Sequence, residues 1–234
     1  MKLILTGCTG FIGGEVLFQA LRNPAISSII TLSRRKLADS IINNAKVTSI
    51  VVEDFKTYPE STLKVLTGAD ACIWCMGTTA GDKVLEIDYP LAFAKAITST
   101  FPQSRTKFRY IHLSGGLSVR DQDKPLWFKG DLRRLKGQAE QNMLDFAKTS
   151  ETQGVWETLI VKAGFVTSKE GRSPRDIVGW MMGSKASISL DEIAAVLIDS
   201  TLNGWEEDTL EDNEIMVRKG RQALKKVNES RASQ

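Results

Sequence analysis

A single histidine and three cysteines among 234 residues leave this chain short of the side chains that hold metals and cross-links. Cys8, Cys72 and Cys75 are too few for the disulfide framework of a small secreted domain. Cys72 and Cys75 have the spacing of a redox or zinc pair, but they lie in Ala71-Cys72-Ile73-Trp74-Cys75-Met76, which reads as a buried strand. Residues three apart on a strand point to opposite faces, so these sulfurs are expected to be buried structural thiols that do not meet. With His112 alone to complement them, no metal site is expected. An excess of one charge is also missing: 31 basic residues face 28 acidic ones, a net +3. Without a basic stripe interleaved with aromatics, no nucleic-acid partner is expected. Lys219, Arg221, Lys225, Lys226 and Arg231 read as a solvated helix end and tail. No apolar run approaches the roughly 18 residues that span a bilayer, so no membrane partner is expected. Met1 leads straight into Leu3-Ile4-Leu5 without a basic leader or a small-residue cleavage site, and the expected location is cytoplasmic.

What is present is an ordinary globular balance, 42% hydrophobic and 25% charged, in which short apolar runs alternate with helical stretches. That alternation predicts an α/β fold, a doubly wound parallel sheet of the Rossmann kind. Strands are predicted at 2–6, 28–32, 47–52, 70–75, 108–113 and 156–161. Helices are predicted at 11–22, 60–66, 87–99 and 129–148, the last carrying Leu132, Leu135, Ala139, Met143 and Phe146 on its core side. Beyond Gly164 the alternation loosens into helical pieces near 176–182, 191–202 and 211–224. The expectation is one domain over 1–234, with 165–234 supplying a small helical cap on the substrate side and a C-terminal helix. No internal repeat or low-complexity linker divides the chain.

The strongest motif is Thr6-Gly7-Cys8-Thr9-Gly10-Phe11-Ile12-Gly13-Gly14, between a predicted strand and a predicted helix. Gly7 suits a tight turn, Gly10 lets backbone approach a pyrophosphate, and Gly13 lets helix pack close to strand. The helix N-terminus then attracts the anion. Gly7, Thr9, Gly10, Phe11, Ile12 and Gly13 are therefore expected to bind a dinucleotide. A nucleoside-triphosphate loop is excluded, because no Gly-Lys-Ser/Thr follows. After the second strand the chain reads Thr31-Leu32-Ser33-Arg34-Arg35-Lys36, where an NAD-binding fold would place a carboxylate for the ribose 2′-hydroxyl. Two guanidiniums can instead fork a 2′-phosphate, which makes NADP(H) the expected cofactor, with Ser33, Arg34 and Arg35 at that end.

These residues resemble the short-chain dehydrogenase/reductase superfamily, in its atypical and extended branches. The glycine loop there is Thr-Gly-x-x-Gly-x-x-Gly. The likeness covers most of the chain and is greatest to small members of the Tat-interacting-protein-like, NmrA-like and epimerase-like kinds. It implies that Asp54-Phe55 meets the adenine and that Met76-Gly77-Thr78 passes under the ribose and nicotinamide. It also implies that Ser114, in His112-Leu113-Ser114-Gly115-Gly116, is the catalytic serine. Asp191-Glu192-Ile193-Ala194 resembles the group's late helix start. Lys136-Gly137-Gln138-Ala139-Glu140 matches the family's Lys-Gly-x-x-Glu, so Lys136 is expected to hold the nicotinamide ribose.

The likeness breaks four residues before that lysine, where Leu132 replaces the tyrosine of the family's Tyr-x-x-x-Lys. Tyr58, Tyr89 and Tyr110 are followed four residues on by Thr62, Phe93 and Ser114, so none restores the motif. Leucine has no exchangeable proton and cannot do acid–base work. His112, two residues from Ser114 and on the same strand face, reads foremost as a core histidine and is also the first candidate for a substitute acid. Tyr89 near a helix start, Trp127-Phe128 and Trp180-Met181-Met182 are candidates for the apolar wall of a pocket or for plain core. The leading functional expectation is an NADP(H)-dependent oxidoreductase on a small apolar metabolite with a non-standard acid, using Ser114, Lys136 and His112. A non-catalytic NADP(H) sensor, or a non-redox enzyme doing isomerisation or cyclisation on the same scaffold, remains open, as does a homodimer.

Overall fold

The computed structural model describes residues 1–102, 107–168, 181, 183 and 185–232. Five parallel strands come first: β1 (Lys2–Thr6), β2 (Ser28–Ser33), β3 (Val47–Val51), β4 (Ala71–Trp74) and β5 (Phe108–Gly115). Between them run α1 (Phe11–Arg22), the short α2 (Asp39–Ile42), α3 (Glu60–Leu66), a π-helical turn (Val84–Asp88) and α4 (Tyr89–Thr98). The chain continues through α5 (Gly130–Phe146), β6 (Trp156–Ala163), β7 (Phe165–Thr167), β8 (Ser187–Ser189), α6 (Leu190–Asn203), β9 (Thr209–Leu210) and α7 (Asn213–Ala232).

The main sheet has seven strands in the order β3-β2-β1-β4-β5-β6-β9, and every neighbouring pair is parallel. Strand order reverses between β1 and β4, so a crevice opens outside the carboxyl ends of these strands. Alternation along each strand sorts the core into two halves. Leu3, Leu5, Ala71 and Ile73 face an aliphatic cluster with Val16 and Leu17 of α1, Ile193 and Leu197 of α6, and Met216 of α7. Ile4, Cys72, Trp74 and Tyr110 face the other side, with Phe55, Phe93 of α4 and Met143 of α5. Cys72 lies in that second cluster while Cys75 packs against the first, so the expected separation of these sulfurs holds. Among the described residues, no group of His, Cys, Asp or Glu is arranged to hold a metal.

The segment 165–234 divides between two places. β7 and β8 form a separate two-stranded ribbon after β6, on the carboxyl-end side expected for a cap. β9 instead extends the main sheet, and α6 lies in the helix layer with Ile193, Ala194, Val196 and Leu197 buried. A capping box fixes the start of α6: Ser189 Oγ accepts from the Glu192 amide, and Glu192 accepts from the Ser189 amide. The expected helix near 176–182 lies outside the described residues, apart from Met181. No helix among the described residues is long and apolar enough to cross a membrane.

Candidate functional site

All parallel strands end on one edge, so the loops after β1, β2, β4 and β5 converge there. Gly7 turns the chain at φ +68°, a left-handed conformation that favours glycine. A Cβ on Gly13 would lie 2.2 Å from the Gly7 carbonyl oxygen, so only glycine lets α1 start this close to β1. Gly10 is the N-cap of α1 and donates to Gly7 O at 2.9 Å. No side chain caps the helix, and its first turn holds no acidic residue. Exposed Thr9 and Phe11 and half-buried Ile12 border this bare end, whose amides have no intrahelical acceptor.

At the end of β2, Ser33 is buried and accepts the Arg35 amide through Oγ at 3.3 Å. Arg34 and Arg35 project into solvent, and neither has an ion-pair partner among the described residues. Lys36 is drawn aside to Asp39 at 3.0 Å. The glycine loop and these two guanidiniums therefore fit a dinucleotide that carries a further phosphate. Asp54 is exposed, with Oδ1 turned back to the Lys56 amide at 3.0 Å. The Phe55 ring is fully buried between Trp74, Tyr58 and Tyr89, so its side chain belongs to the core and only its backbone and Asp54 are left on the cofactor side. Tyr89 packs in the same cluster.

On the far side of the switch point the polar groups are tied to one another. Ser114 is buried at the end of β5 and donates to Glu140 Oε1 at 2.5 Å. Ser118 donates to the same oxygen, and Arg120 Nε binds Glu140 Oε2 at 2.9 Å. Glu140 is fully buried, and its charge is compensated by this set. Gly137 holds α5 against the β5–α5 loop: a Cβ there would sit 1.9 Å from the Val119 carbonyl oxygen. Gly137 thus docks the helix and Glu140, three residues on, pins it.

Lys136, one turn before Glu140, pairs with Glu86 Oε1 at 2.7 Å. The same oxygen accepts the Thr78 amide at 2.7 Å, which fastens the turn Met76-Gly77-Thr78 after β4. Met76 is buried and Gly77 exposed. The residue-by-residue reading had no place for Glu86; a lone carboxylate between Leu85 and Ile87 is the signal that marks it.

His112 is buried beside Tyr110, with Tyr110 Oη 3.1 Å from its Nδ1. Burial, reinforced by the Lys136 charge, pushes its pKa down to about 3. The imidazole is therefore neutral at ordinary pH, in keeping with a core histidine hydrogen-bonded to Tyr110. Ser114 and His112 lie on β5 and Lys136 within α5, near enough to His112 for its charge to act there, and each is already engaged with a protein partner.

Trp127, Phe128, Leu117 and Met181 are exposed, Trp127 at 96%. Trp180 and Met182 lie outside the described residues.

No protein-family model matches the chain. The solved structures it resembles include Gre2 of Candida albicans in complex with NADPH, at TM-score 0.65 and 17% identity over 90% of this chain and 77% of that one. The oxidoreductase YlbE of Lactococcus lactis matches at TM-score 0.64 and 18% identity, over 96% of this chain and 97% of that one. This chain shares the Rossmann fold of these structures. Among curated proteins, leucinostatins biosynthesis cluster protein T of Purpureocillium lilacinum is 34% identical over 49% of this chain, a match spanning only 42% of that relative. The mitochondrial protein fmp52 of Emericella nidulans is 25% identical over 95% of this chain and 88% of its own length. A Candida albicans protein of the same name is 22% identical over 93% of this chain and 94% of its own. These names overturn the cytoplasmic expectation, because relatives matched along nearly the whole chain are designated mitochondrial.

Proposed function

We propose that this protein is an NADP(H)-binding oxidoreductase of the short-chain dehydrogenase/reductase type, acting on a small apolar molecule with an acid other than a phenol. The bare N-terminus of α1 carries the reading, standing uncapped and free of acidic residues next to Arg34 and Arg35. Amides of the Gly7–Gly13 turn would hold the pyrophosphate, and the two guanidiniums the 2′-phosphate. Lys136 would donate to the nicotinamide ribose, and Ser114 would orient a substrate oxygen after exchanging its bond to Glu140. The nicotinamide, when bound, supplies or accepts a hydride. Exposed Leu117, Trp127, Phe128 and Met181 support an apolar substrate. The names of the fmp52 relatives support a mitochondrial location, which subcellular fractionation tests.

A nucleotide sensor without turnover is the second reading. It is favoured by Leu132 at the tyrosine position and by the engagement of Ser114 with Glu140 and Lys136 with Glu86. Titration with NADPH and NADH tests the shared premise. Replacing both Arg34 and Arg35 by alanine is expected to weaken NADPH about 10- to 100-fold, since charge-assisted bonds contribute about 1.5–3 kcal/mol, and to leave NADH little changed. Equal affinity for the two nucleotides in the unaltered protein removes the NADP(H) assignment, and no binding removes the reading. A carbonyl panel then separates enzyme from sensor: turnover that falls with Ser114→Ala or Lys136→Ala identifies the enzyme.

A further inference from the structure

Glu86 is a carboxylate with 3% of its surface exposed, carried on a π-helical turn rather than on regular helix. Such wide turns re-aim one side chain and recur at functional sites. Both hydrogen bonds it accepts, from Lys136 Nζ and the Thr78 amide, fall on Oε1. Oε2 accepts none from the described residues, although a carboxylate has about four acceptor positions. That oxygen is not among the buried polar atoms left without a partner, so it is open to water or to the hydroxyl of a ligand.

The surroundings indicate which ligand. A Cβ on exposed Gly77 would lie 3.5 Å from Glu86 Oε1, 3.5 Å from Lys136 Nζ and 3.7 Å from Glu86 Oε2. The ion pair therefore stands directly behind a bare stretch of backbone on the turn after β4, with the Lys136 side chain still 20% exposed. An ammonium and a carboxylate side by side suit a vicinal diol, where one hydroxyl accepts from nitrogen and the other donates to oxygen. Dinucleotide folds make a carboxylate–ribose contact of this kind at their adenine end.

We propose that Glu86 binds the nicotinamide ribose directly, its Oε2 accepting a ribose hydroxyl while Oε1 keeps Lys136. This rests on the dinucleotide reading above. The probes are NADPH and 2′,5′-ADP, which lacks the nicotinamide riboside half, measured by calorimetry. Glu86→Gln is expected to weaken NADPH about tenfold, the loss of one charge-assisted bond, and to leave 2′,5′-ADP within about twofold. In a Lys136→Met background Glu86→Gln still weakens NADPH several-fold, because the contact does not pass through the lysine. Gly77→Ala, whose methyl meets only ordinary contact distances, fills the space before the pair and shows the same selectivity without disturbing either charge.

Glu86→Gln that weakens both ligands alike, or neither, overturns the proposal while leaving the dinucleotide reading intact. The same holds if the effect vanishes in the Lys136→Met background. Failure of the unaltered protein to bind either ligand overturns the dinucleotide reading and the proposal with it.

Discussion

On the β1–β2 side of the switch point, α1 starts with no side-chain cap and no acidic residue in its first turn, and the guanidiniums of Arg34 and Arg35 stand without an ion-pair partner among the described residues. On the β4–β5 side the candidate catalytic groups are paired internally, Ser114 with Glu140, Lys136 with Glu86 and His112 with Tyr110. Unpaired donors lose only water when an anion arrives. Groups already bonded inside the protein must exchange a partner before they touch a substrate, and part of the gain cancels. The two sides are therefore prepared for different tasks: one is ready to bind, and the other is held in position first. Leu132, on the paired side, removes the one phenol whose proton would have linked the tasks.

The largest expected effect breaks the paired side. Glu140→Ala leaves Arg120 without its carboxylate and removes the carboxylate oxygen that Ser114 and Ser118 share, with only Ser118 keeping a backbone acceptor at Gly115. Breaking a buried pair in this way costs about 3–5 kcal/mol, to be read as a lowered urea midpoint at unchanged slope. Affinity for 2′,5′-ADP should stay within about twofold while the protein is folded, since β1 and α1 are untouched. A loss of that affinity in step with stability would mean that the two sides are one unit.

Gly13→Ala attacks the other side. Its methyl would meet the Gly7 carbonyl at 2.2 Å, so α1 must move away from β1. Overpacking of this kind costs about 1–3 kcal/mol. The displaced amides should also lose NADPH affinity by about 100-fold, more than the fall in stability alone accounts for. Unchanged affinity would remove the glycine turn from the binding surface.

The glycine side was legible in the sequence because its information is backbone information. Gly7 and Gly13 mark places where a Cβ cannot be tolerated or a φ is positive, and those constraints are local. Arg34-Arg35 was equally readable, since it follows a strand whose end fixes where the pair stands. The paired side was not readable in this way. Ser114 and Glu140 are 26 residues apart, and Lys136 and Glu86 are 50 apart, so their contacts exist only once β5, α5 and the π-helical turn have packed. The π turn also shifted the predicted helix start from Val84 to residue 87, which hid Glu86. The burial of the Phe55 ring was hidden in the same way, since Trp74 and Tyr89 enclose it only in the folded chain. β9, at two residues, carries no periodic signal at all.

A smaller effect concerns His112. Its ordinary value is 6.5, and in the folded protein burial lowers it to about 3. Below pH 6.5 the unfolded chain takes up a proton that the folded chain refuses. This contribution is whole above pH 6.5 and is lost progressively as pH falls toward 3, by at most about 1.4 kcal/mol per pH unit. His112 is the chain's one histidine, so His112→Phe should flatten the stability profile between pH 6.5 and 5, measured by urea unfolding. An unchanged slope would show that the imidazole reaches solvent.

The smallest expected change in stability is also the sharpest test of what the apolar mouth does. Trp127 is 96% exposed, so Trp127→Ser removes almost no buried surface and should alter stability by less than about 0.5 kcal/mol. Its ring lies beside that of Phe128, at 6.0 Å between centroids. If the β5–α5 loop lines the substrate entrance, the variant raises KM for long-chain carbonyl compounds several-fold while NADPH affinity and kcat stay constant. A KM unmoved across chain lengths would leave the exposed tryptophan without a part in substrate binding. It would also confine recognition to the nucleotide side, where the donors already stand free.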